Sequence, residues 1–311
     1  MKRSLHIAGL FVGAMALSAC DTQKSTDVAL PTYATYSGSD IVIQHAQMRM
    51  VLTPTVSGRI SSLKIANQEV LTDVGDKHRR WGNILWSSPQ SEWGWPPPPT
   101  LDGEPYETEI DDDSIIFTSQ VDPITQYQFT KRYRLLDDGI RITYSIKNLS
   151  KKKKQVAPLE LTRVPGKGEV VFPMGDTPPM SGIFYPLKVK IEQGLCWFHY
   201  DASLMTSGDH YKITMDGSEG WLAYRLDNVI LIKQFKDVSA QNVVPGEQEI
   251  ELFAHNDKTF LELKHQGAQR NLSPGKSLSW SVIWRGYELP QNLRDKVAPE
   301  ELADFVRKKI N

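Results

Sequence analysis

The chain has 311 residues, and its 36 lysine and arginine residues nearly balance 37 aspartate and glutamate residues, leaving a formal net charge of −1. This balance provides no electrostatic attraction to a phosphate backbone, so we expect no nucleic-acid partner. Hydrophobic residues make up 40% of the chain, which is enough to build one large β domain or two small ones.

The first 20 residues have the pattern of a secretory signal. Lys2 and Arg3 precede an uncharged apolar run over residues 7–17, which is shorter than the about 20 residues that a membrane-spanning helix needs. The motif Leu-Ser-Ala-Cys at residues 17–20 resembles the lipobox of bacterial lipoproteins. The resemblance implies cleavage before Cys20 and lipidation of that cysteine. The alternative is an ordinary signal peptide with a chance cysteine.

Lipidation of Cys20 predicts a location in the cell envelope, on the periplasmic face of a membrane. In enteric lipoproteins an aspartate after the cysteine commonly favours the inner membrane, and Asp21 stands at that position. The residues up to Ser39 are rich in Ser, Thr and Asp, which predicts a flexible segment. We therefore predict a signal peptide over residues 1–19 and a lipid-anchored flexible tether over residues 20–39.

Residues 81–99 form an unusual segment that contains four of the eight tryptophans and ends in four consecutive prolines. Because proline cannot donate to a strand ladder, we interpret the segment as a rigid loop. Aromatic rings suit the apolar faces of sugars, and amide side chains suit their polar rims. The alternative is a loop that plugs the end of a β-sandwich with indole rings. The residues predicted here to bind ligand are Asn83, Trp86, Gln90, Trp93 and Trp95.

Alternating apolar and polar residues predict β-strands through most of the chain. Two such runs, residues 127–135 and 140–146, flank Asp137-Asp138-Gly139 and predict a β-hairpin with a tight turn. A continuous apolar run over residues 229–232 predicts a strand buried on both faces. Strands recur roughly every 8–12 residues, which predicts an all-β antiparallel sandwich.

The sandwich domain is predicted to span residues 40–290, with a short C-terminal helix in residues 291–311. Pro299 suits the first helical position, and an apolar stripe of Leu302, Phe305 and Val306 follows it.

Two carboxylates, Glu160 and Glu262, each stand between two leucines. Neighbouring residues of a strand point to opposite faces, so each glutamate faces away from its leucines. If the leucines face the core, both carboxylates face a ligand cleft, where they could act as a general base and a general acid. The alternative is two solvated strand residues, or salt bridges to Arg163 or Lys264.

From about residue 42 to 290 the chain resembles the galactose mutarotase-like superfamily, whose fold is an antiparallel β-supersandwich. The resemblance is carried by residues 57–63, 144–148 and 261–277, with Leu261-Glu262 before a Pro-Gly turn. In aldose 1-epimerases the corresponding late strand carries the catalytic glutamate base, and Glu262 falls there. The mid-chain strand of those enzymes carries a histidine acid, and the nearest residue here is Glu160. Arg59 and Arg163, in the matching regions, complete the predicted ligand-binding residues.

The sequence departs from the epimerases in one respect. Their paired histidine motif is absent, since His78 and His210 stand alone. The Trp segment and the motif Ala-Pro-x-Glu-x-Thr-Arg at residues 157–163 resemble instead an uncharacterised domain family of the same superfamily. The resemblance therefore implies the fold more specifically than it implies epimerase activity.

Two functions of different classes remain open. The first is an envelope lipoprotein that binds a sugar or oligosaccharide on a concave sheet face. In its enzymatic form, this protein would be an aldose 1-epimerase-like isomerase that needs no metal or other cofactor. Glu262 would then take the proton of the anomeric hydroxyl, and Glu160 or His199 would protonate the ring oxygen. The second is a structural lipoprotein that docks an envelope partner and has no sugar affinity.

Overall fold

The computed structural model describes residues 29–72, 75, 80–206, 208–295 and 298–311. The predicted signal peptide, Cys20 and Asp21 lie outside these residues, so the predictions made for them stay predictions. Within the described ranges, neither helix is long and apolar enough to span a membrane.

The described residues contain 22 strands and two α-helices. In chain order the strands are β1 Ala34–Ser37, β2 Asp40–His45, β3 Met48–Thr53, β4 Arg59–Ile65, β5 Gln68–Glu69, β6 Asn83–Ser88, β7 Glu107–Asp111, β8 Ser114–Thr118, β9 Tyr127–Leu136, β10 Gly139–Asn148, β11 Lys154–Pro165, β12 Glu169–Pro173, β13 Tyr185–Pro186, β14 Lys190–Glu192, β15 Leu195–His199, β16 Tyr211–Met215, β17 Trp221–Leu226, β18 Val229–Phe235, β19 Ile250–Ala254, β20 Phe260–Gln266, β21 Arg270–Leu272 and β22 Ser277–Glu288. The helices are α1 Pro99–Asp102 and α2 Pro299–Ile310.

The strands form two sheets that face each other. Sheet A has 12 strands in the order β1-β2-β3-β4-β6-β11-β20-β19-β16-β13, with β5 beside β4 and β21 beside β11. Sheet B has ten strands in the order β14-β15-β12-β17-β18-β22-β10-β9-β8-β7. The pairing is antiparallel except between β13 and β16. The predicted antiparallel β-sandwich with a short C-terminal helix is confirmed.

The main core lies between the two sheets, because alternate residues of most strands point inward. Leu261 and Leu263 of β20 in sheet A belong to the same core cluster as Val282 and Trp284 of β22 in sheet B, and each is at most 1% exposed. Burial of each such side chain contributes about 1.5–3 kcal/mol.

A smaller apolar cluster covers the outer face of sheet B. Leu302, Ala303 and Val306 of α2 pack there with Trp221 of β17 and Ile230 of β18. The predicted helix and its first residue, Pro299, are therefore confirmed, and its apolar stripe closes this face of the sandwich.

The predicted hairpin is also present, since β9 and β10 pair from Leu136 opposite Gly139 onward. Two segments differ from expectation. Residues 34–37, inside the predicted tether, form β1 and pair with β2. Residues 83–88, inside the predicted loop, form β6, which pairs with β4 and β11. The prolines begin only at Pro89, so their effect on the ladder does not reach this strand.

Candidate functional site

A cleft of about 780 Å³ opens on the outer face of sheet A. Its floor consists of side chains from β11, β16, β19 and β20 that point away from the core. One wall is formed by residues 89–103, here called the Trp loop, which belong to the segment between β6 and β7. The volume lies within the about 300–1,000 Å³ typical of small-molecule sites.

A row of alternating charges crosses the cleft floor over four neighbouring strands. Arg163 Nε lies 2.9 Å from Glu262 Oε1, and Lys264 Nζ lies 2.9 Å from Glu262 Oε2. The same lysine lies 2.7 Å from Glu251, and Lys212 lies 2.5 Å from the other oxygen of Glu251. The strand register explains the row, because Arg163 stands opposite Glu262 and Lys264 opposite Glu251.

The row sets the ionisation of its members. Burial by itself raises the pKa of Glu262, but Lys264 and Arg163 outweigh it and hold that pKa below its usual range. Burial likewise opposes ionisation of Glu251, and Lys264 and Lys212 lower its pKa. Lys264, between two carboxylates, has its pKa raised despite burial. The floor therefore presents permanently charged groups near neutral pH.

Three indole rings stand together at the Trp loop. Trp86 of β6 is 4% exposed and forms edge contacts with Trp93 and Trp95, at centroid distances of 5.6 and 6.2 Å. Trp95 is 77% exposed and lines the cleft. Trp95 therefore presents an accessible aromatic ring beside the charged floor, and a ligand in the cleft can contact it.

The Trp loop is tied to the body of the sandwich at several points. Glu92 pairs with Lys154 at 2.5 Å and accepts a hydrogen bond from the Tyr127 hydroxyl at 2.7 Å. At the far end of the loop, Asp102 accepts a hydrogen bond from Trp86 Nε1 at 2.8 Å. These contacts hold the exposed ring of Trp95 on an anchored segment.

Histidines complete another part of the cleft lining. The rings of His210 and His255 are in contact at a centroid distance of 4.6 Å and are tilted by 50°, and His255 Nδ1 lies 2.9 Å from Asp257. His210 Nδ1 accepts the backbone N–H of Asn256 at 3.1 Å, so its proton is assigned to Nε2. Burial and the neighbouring His255 lower the pKa of His210. His210 is thus a neutral donor near pH 7.

Five predicted site residues line the cleft: Trp86, Gln90, Trp95, Arg163 and Glu262. Trp93 lies behind Trp86, where its indole N–H donates to the Ser87 carbonyl at 3.0 Å.

Glu160 does not face the cleft, and the expectation that it shares a face with Glu262 is wrong. It is fully buried between the sheets, with Lys233 of β18 at 2.8 Å and the Trp284 indole N–H at 3.1 Å. Its flanking leucines point the other way, into an apolar cluster with Trp86 on the outer face. Asn83 shares this interior position and donates to Glu160 at 2.8 Å.

Arg59 and His199 also lie away from the cleft floor. Arg59 is fully buried behind the Trp loop, donating to the Asp102 carbonyl at 2.8 Å with its guanidinium 4.6 Å from the Trp81 ring. It supports the loop rather than contacting the cleft. His199 sits beside Glu169 at 3.3 Å, on sheet B.

Sequence reasoning missed most of the cleft lining. The missed residues lie on β16 and β19 or immediately beside them, and no motif joins them: Lys212, Glu251, Phe253, His210 and His255. The available signal was the alternation Ile-Glu-Leu-Phe-Ala of residues 250–254, which places Glu251 and Phe253 on one face. Across the residues that the structure describes, no three His, Cys, Asp or Glu side chains are arranged to hold a metal ion.

The comparison with domain families gives one match. The family described as "Domain of unknown function (DUF4380)" matches residues 39–287, and the chain belongs to this family. Among curated proteins, no sequence matches the chain.

Solved structures give the fold class. A galactose mutarotase-like protein from Lactobacillus casei is 14% identical, with a TM-score of 0.57 over 80% of this chain and 100% of that chain. A galactose mutarotase related enzyme from Lactobacillus acidophilus is 11% identical, with a TM-score of 0.57 over 81% and 98% of the two chains. A putative aldose 1-epimerase from Escherichia coli is 11% identical, with a TM-score of 0.52 over 80% and 98%. The chain therefore has the galactose mutarotase-like fold that its sequence predicts, and this likeness defines the fold alone.

Proposed function

We propose that this protein binds a carbohydrate in the cleft of sheet A, at the cell envelope and anchored through lipid on Cys20. The exposed ring of Trp95 beside the row of paired charges carries the proposal. A sugar ring stacks on an indole through its C–H face, and its hydroxyls form hydrogen bonds with charged donors and acceptors. The names of the structural neighbours, which include mutarotase-like proteins, agree with a sugar ligand.

The charges favour binding over catalysis. A general base works best with a pKa near the operating pH, whereas the pKa of Glu262 is held low by two cations. Each of its carboxylate oxygens also faces a cation at 2.9 Å. Such a group accepts a hydrogen bond from a sugar hydroxyl well and removes a proton poorly.

The test of binding is a titration of the protein with a panel of mono- and oligosaccharides, in which tryptophan fluorescence and calorimetry measure binding. We expect at least one glycan to change the emission, and Trp95→Ala to weaken its binding by about 2 kcal/mol, roughly 30-fold. Tyr36→Ala, which removes another exposed aromatic ring on β1, is the control and retains affinity. A flat response across the panel would favour the envelope-docking alternative.

Epimerase activity is the second candidate, favoured by the fact that Glu262 and the neutral His210 line the same cleft. A carboxylate and a histidine donor are the pair that ring opening of an aldose needs. NMR anomer-exchange measurements on free aldoses decide the matter. Acceleration that is lost in both Glu262→Gln and His210→Gln supports the activity, and exchange no faster than in buffer excludes it.

The lipid anchor has its own test. We expect labelled fatty acid to be incorporated into the expressed protein, and Cys20→Ala to abolish both labelling and recovery in the membrane fraction. Cys196→Ala is the matched control, because that thiol is fully buried in the sandwich. Membrane recovery that is unchanged in Cys20→Ala would contradict the anchor.

A further inference from the structure

A second cavity, of about 290 Å³, adjoins the cleft on the outer face of sheet A. The two spaces share four lining residues, Gln90, Phe184, Lys212 and Glu251. A ligand that extends from the cleft past these residues enters the second cavity directly. Its volume lies at the lower end of the range for small-molecule sites, so it suits one further unit of a glycan.

Two carboxyl groups of the second cavity, Glu247 and Glu249, lack the direct ion pairs that Glu251 and Glu262 form on the cleft floor. Glu247 accepts hydrogen bonds from Ser88 and Gln266, and Glu249 accepts one from the Val238 backbone amide at 2.8 Å. Neither forms an ion pair with any residue in the described ranges. Lys212, which lines both spaces, is already paired with Glu251 at 2.5 Å.

The ionisation of these carboxyls agrees with that arrangement. Burial raises the pKa of Glu247. Burial, together with the nearby Asp237, raises the pKa of Glu249 to about 8. A positively charged ligand group would stabilise both in their ionised form.

A second observation is independent of the charges. Gln248 and Gln266 line the same cavity, and the buried Oε1 atom of each has no hydrogen-bond donor among the residues that the structure describes. These side chains are at most 5% exposed. The acceptors around each side chain distinguish its amide nitrogen from its amide oxygen. Gln266 Nε2 donates to Glu247, and Gln248 Nε2 donates to the Pro178 carbonyl, so the remaining amide atom of each is Oε1.

An amide oxygen can only accept a hydrogen bond, so the group that satisfies Gln248 Oε1 and Gln266 Oε1 must donate.

We propose that the second cavity binds the protonated amine of a non-acetylated amino sugar, within a glycan whose neighbouring unit occupies the cleft. An ammonium group brings donors for the two amide oxygens and a positive charge for Glu247 and Glu249, which form no ion pair among the described residues. A hydroxyl brings one donor and no charge, and an acetamide brings one donor and an added apolar methyl. This inference rests on the proposed sugar binding and specifies the composition of the glycan.

Three β-1,4-linked disaccharides that differ at carbon 2 test the inference by calorimetry on the full-length protein in detergent. Cellobiose carries a hydroxyl there, diacetylchitobiose an acetamide, and the deacetylated glucosamine disaccharide an ammonium. We expect the glucosamine disaccharide to bind at least about tenfold more tightly than the other two. Glu247→Gln should reduce that advantage to about threefold or less, whereas Glu109→Gln, a remote exposed carboxylate on β7, should keep it.

The outcomes separate this inference from the proposed function. Equal affinity for the three disaccharides would overturn the amine site while leaving sugar binding intact. The amine site would also be overturned if the advantage of the glucosamine disaccharide survives both Glu247→Gln and Glu249→Gln. If Glu247→Gln does not fold, Glu249→Gln alone provides this test. Failure of all three disaccharides while other glycans bind overturns the amine site too. If no glycan binds at all, the proposed function fails with it.

Discussion

Two identical triplets, Leu-Glu-Leu, lie on the neighbouring strands β11 and β20 and have opposite orientations. In the triplet of β11 the leucines face the outer surface, and Glu160 lies between the sheets. In the triplet of β20 the leucines lie in the main core, and Glu262 faces the cleft. Register explains the difference, because Glu262 stands opposite Arg163, three positions from Glu160. An odd separation along a strand reverses the face.

The two carboxylates accordingly differ in what surrounds them. Glu160 binds Lys233 from the opposite sheet and joins the two layers in a space closed to solvent. Glu262 is held by cations of its own sheet, at the floor of an open cleft. The first pair serves the fold, and the second belongs to a surface that a ligand can reach.

Replacing the glutamate of each triplet by glutamine should give the largest difference in stability between the two sites. Glu160→Gln leaves the buried ammonium of Lys233 without its counter-charge, and we expect it to lower the free energy of unfolding by about 3–5 kcal/mol. Glu262→Gln should cost less, about 1–2 kcal/mol, because Lys264 keeps Glu251 and Arg163 stands at a cleft. Urea denaturation of both variants measures the difference. Equal losses would show that the cleft pair is as structural as the interior pair.

A third acidic side chain, Glu249, extends the comparison to the pH dependence of stability. Its folded-state pKa is raised from the ordinary 4.5 to about 8, mainly by burial, so the folded protein retains a proton that the unfolded chain releases. The contribution of this carboxyl to the free energy of unfolding is fully present at pH values below its pKa in the unfolded chain. It is lost as the pH rises to about 8. For Glu262, whose pKa is lowered, the contribution is instead lost as pH falls below its ordinary range.

The measurement is the free energy of unfolding at about pH 5 and about pH 9, in the wild-type protein and in Glu249→Gln. We expect the wild-type protein to lose roughly 1–3 kcal/mol more stability over this interval than the variant does. Glu109→Gln should behave as wild type. Identical pH profiles for wild type and Glu249→Gln would mean that this carboxyl is ionised in the folded state.

The smallest expected change in stability comes from Trp95→Ala. Its ring is 77% exposed, so truncation should alter the free energy of unfolding by no more than about 0.5 kcal/mol. Trp86→Ala, a ring 4% exposed, should cost about 3–5 kcal/mol and serves as the contrast. Thermal denaturation compares them. A large loss in Trp95→Ala would make that ring a support for the loop rather than a ligand surface.

The fold was accessible from sequence because its signals are local. Alternation, the Asp-Gly turn of the β9–β10 hairpin and the start of α2 at Pro299 depend on neighbouring residues only. The cleft lining was accessible in part, since Glu262, Arg163 and Trp95, which the sequence predicts as site residues, line one cleft. Glu160, Asn83 and Arg59 were not, because alternation shows that two faces exist without showing which one is interior.

The remaining cleft residues depend on long-range pairing. Lys212 and Glu251 meet because β16 pairs with β19, and Glu251 meets Lys264 because β19 pairs with β20. These contacts join residues that no short motif connects, so a single sequence carries little signal for them.

The position of β22 has a consequence for how the chain is made. Ser277–Glu288 is the last strand among the described residues, yet it lies in the middle of sheet B, hydrogen-bonded to β10 on one side and β18 on the other. The two halves of that sheet therefore remain separate edges until residue 288 has been synthesised. Folding of the sandwich must follow synthesis of this strand, and a nascent chain stopped short of it exposes two unpaired edges prone to aggregation.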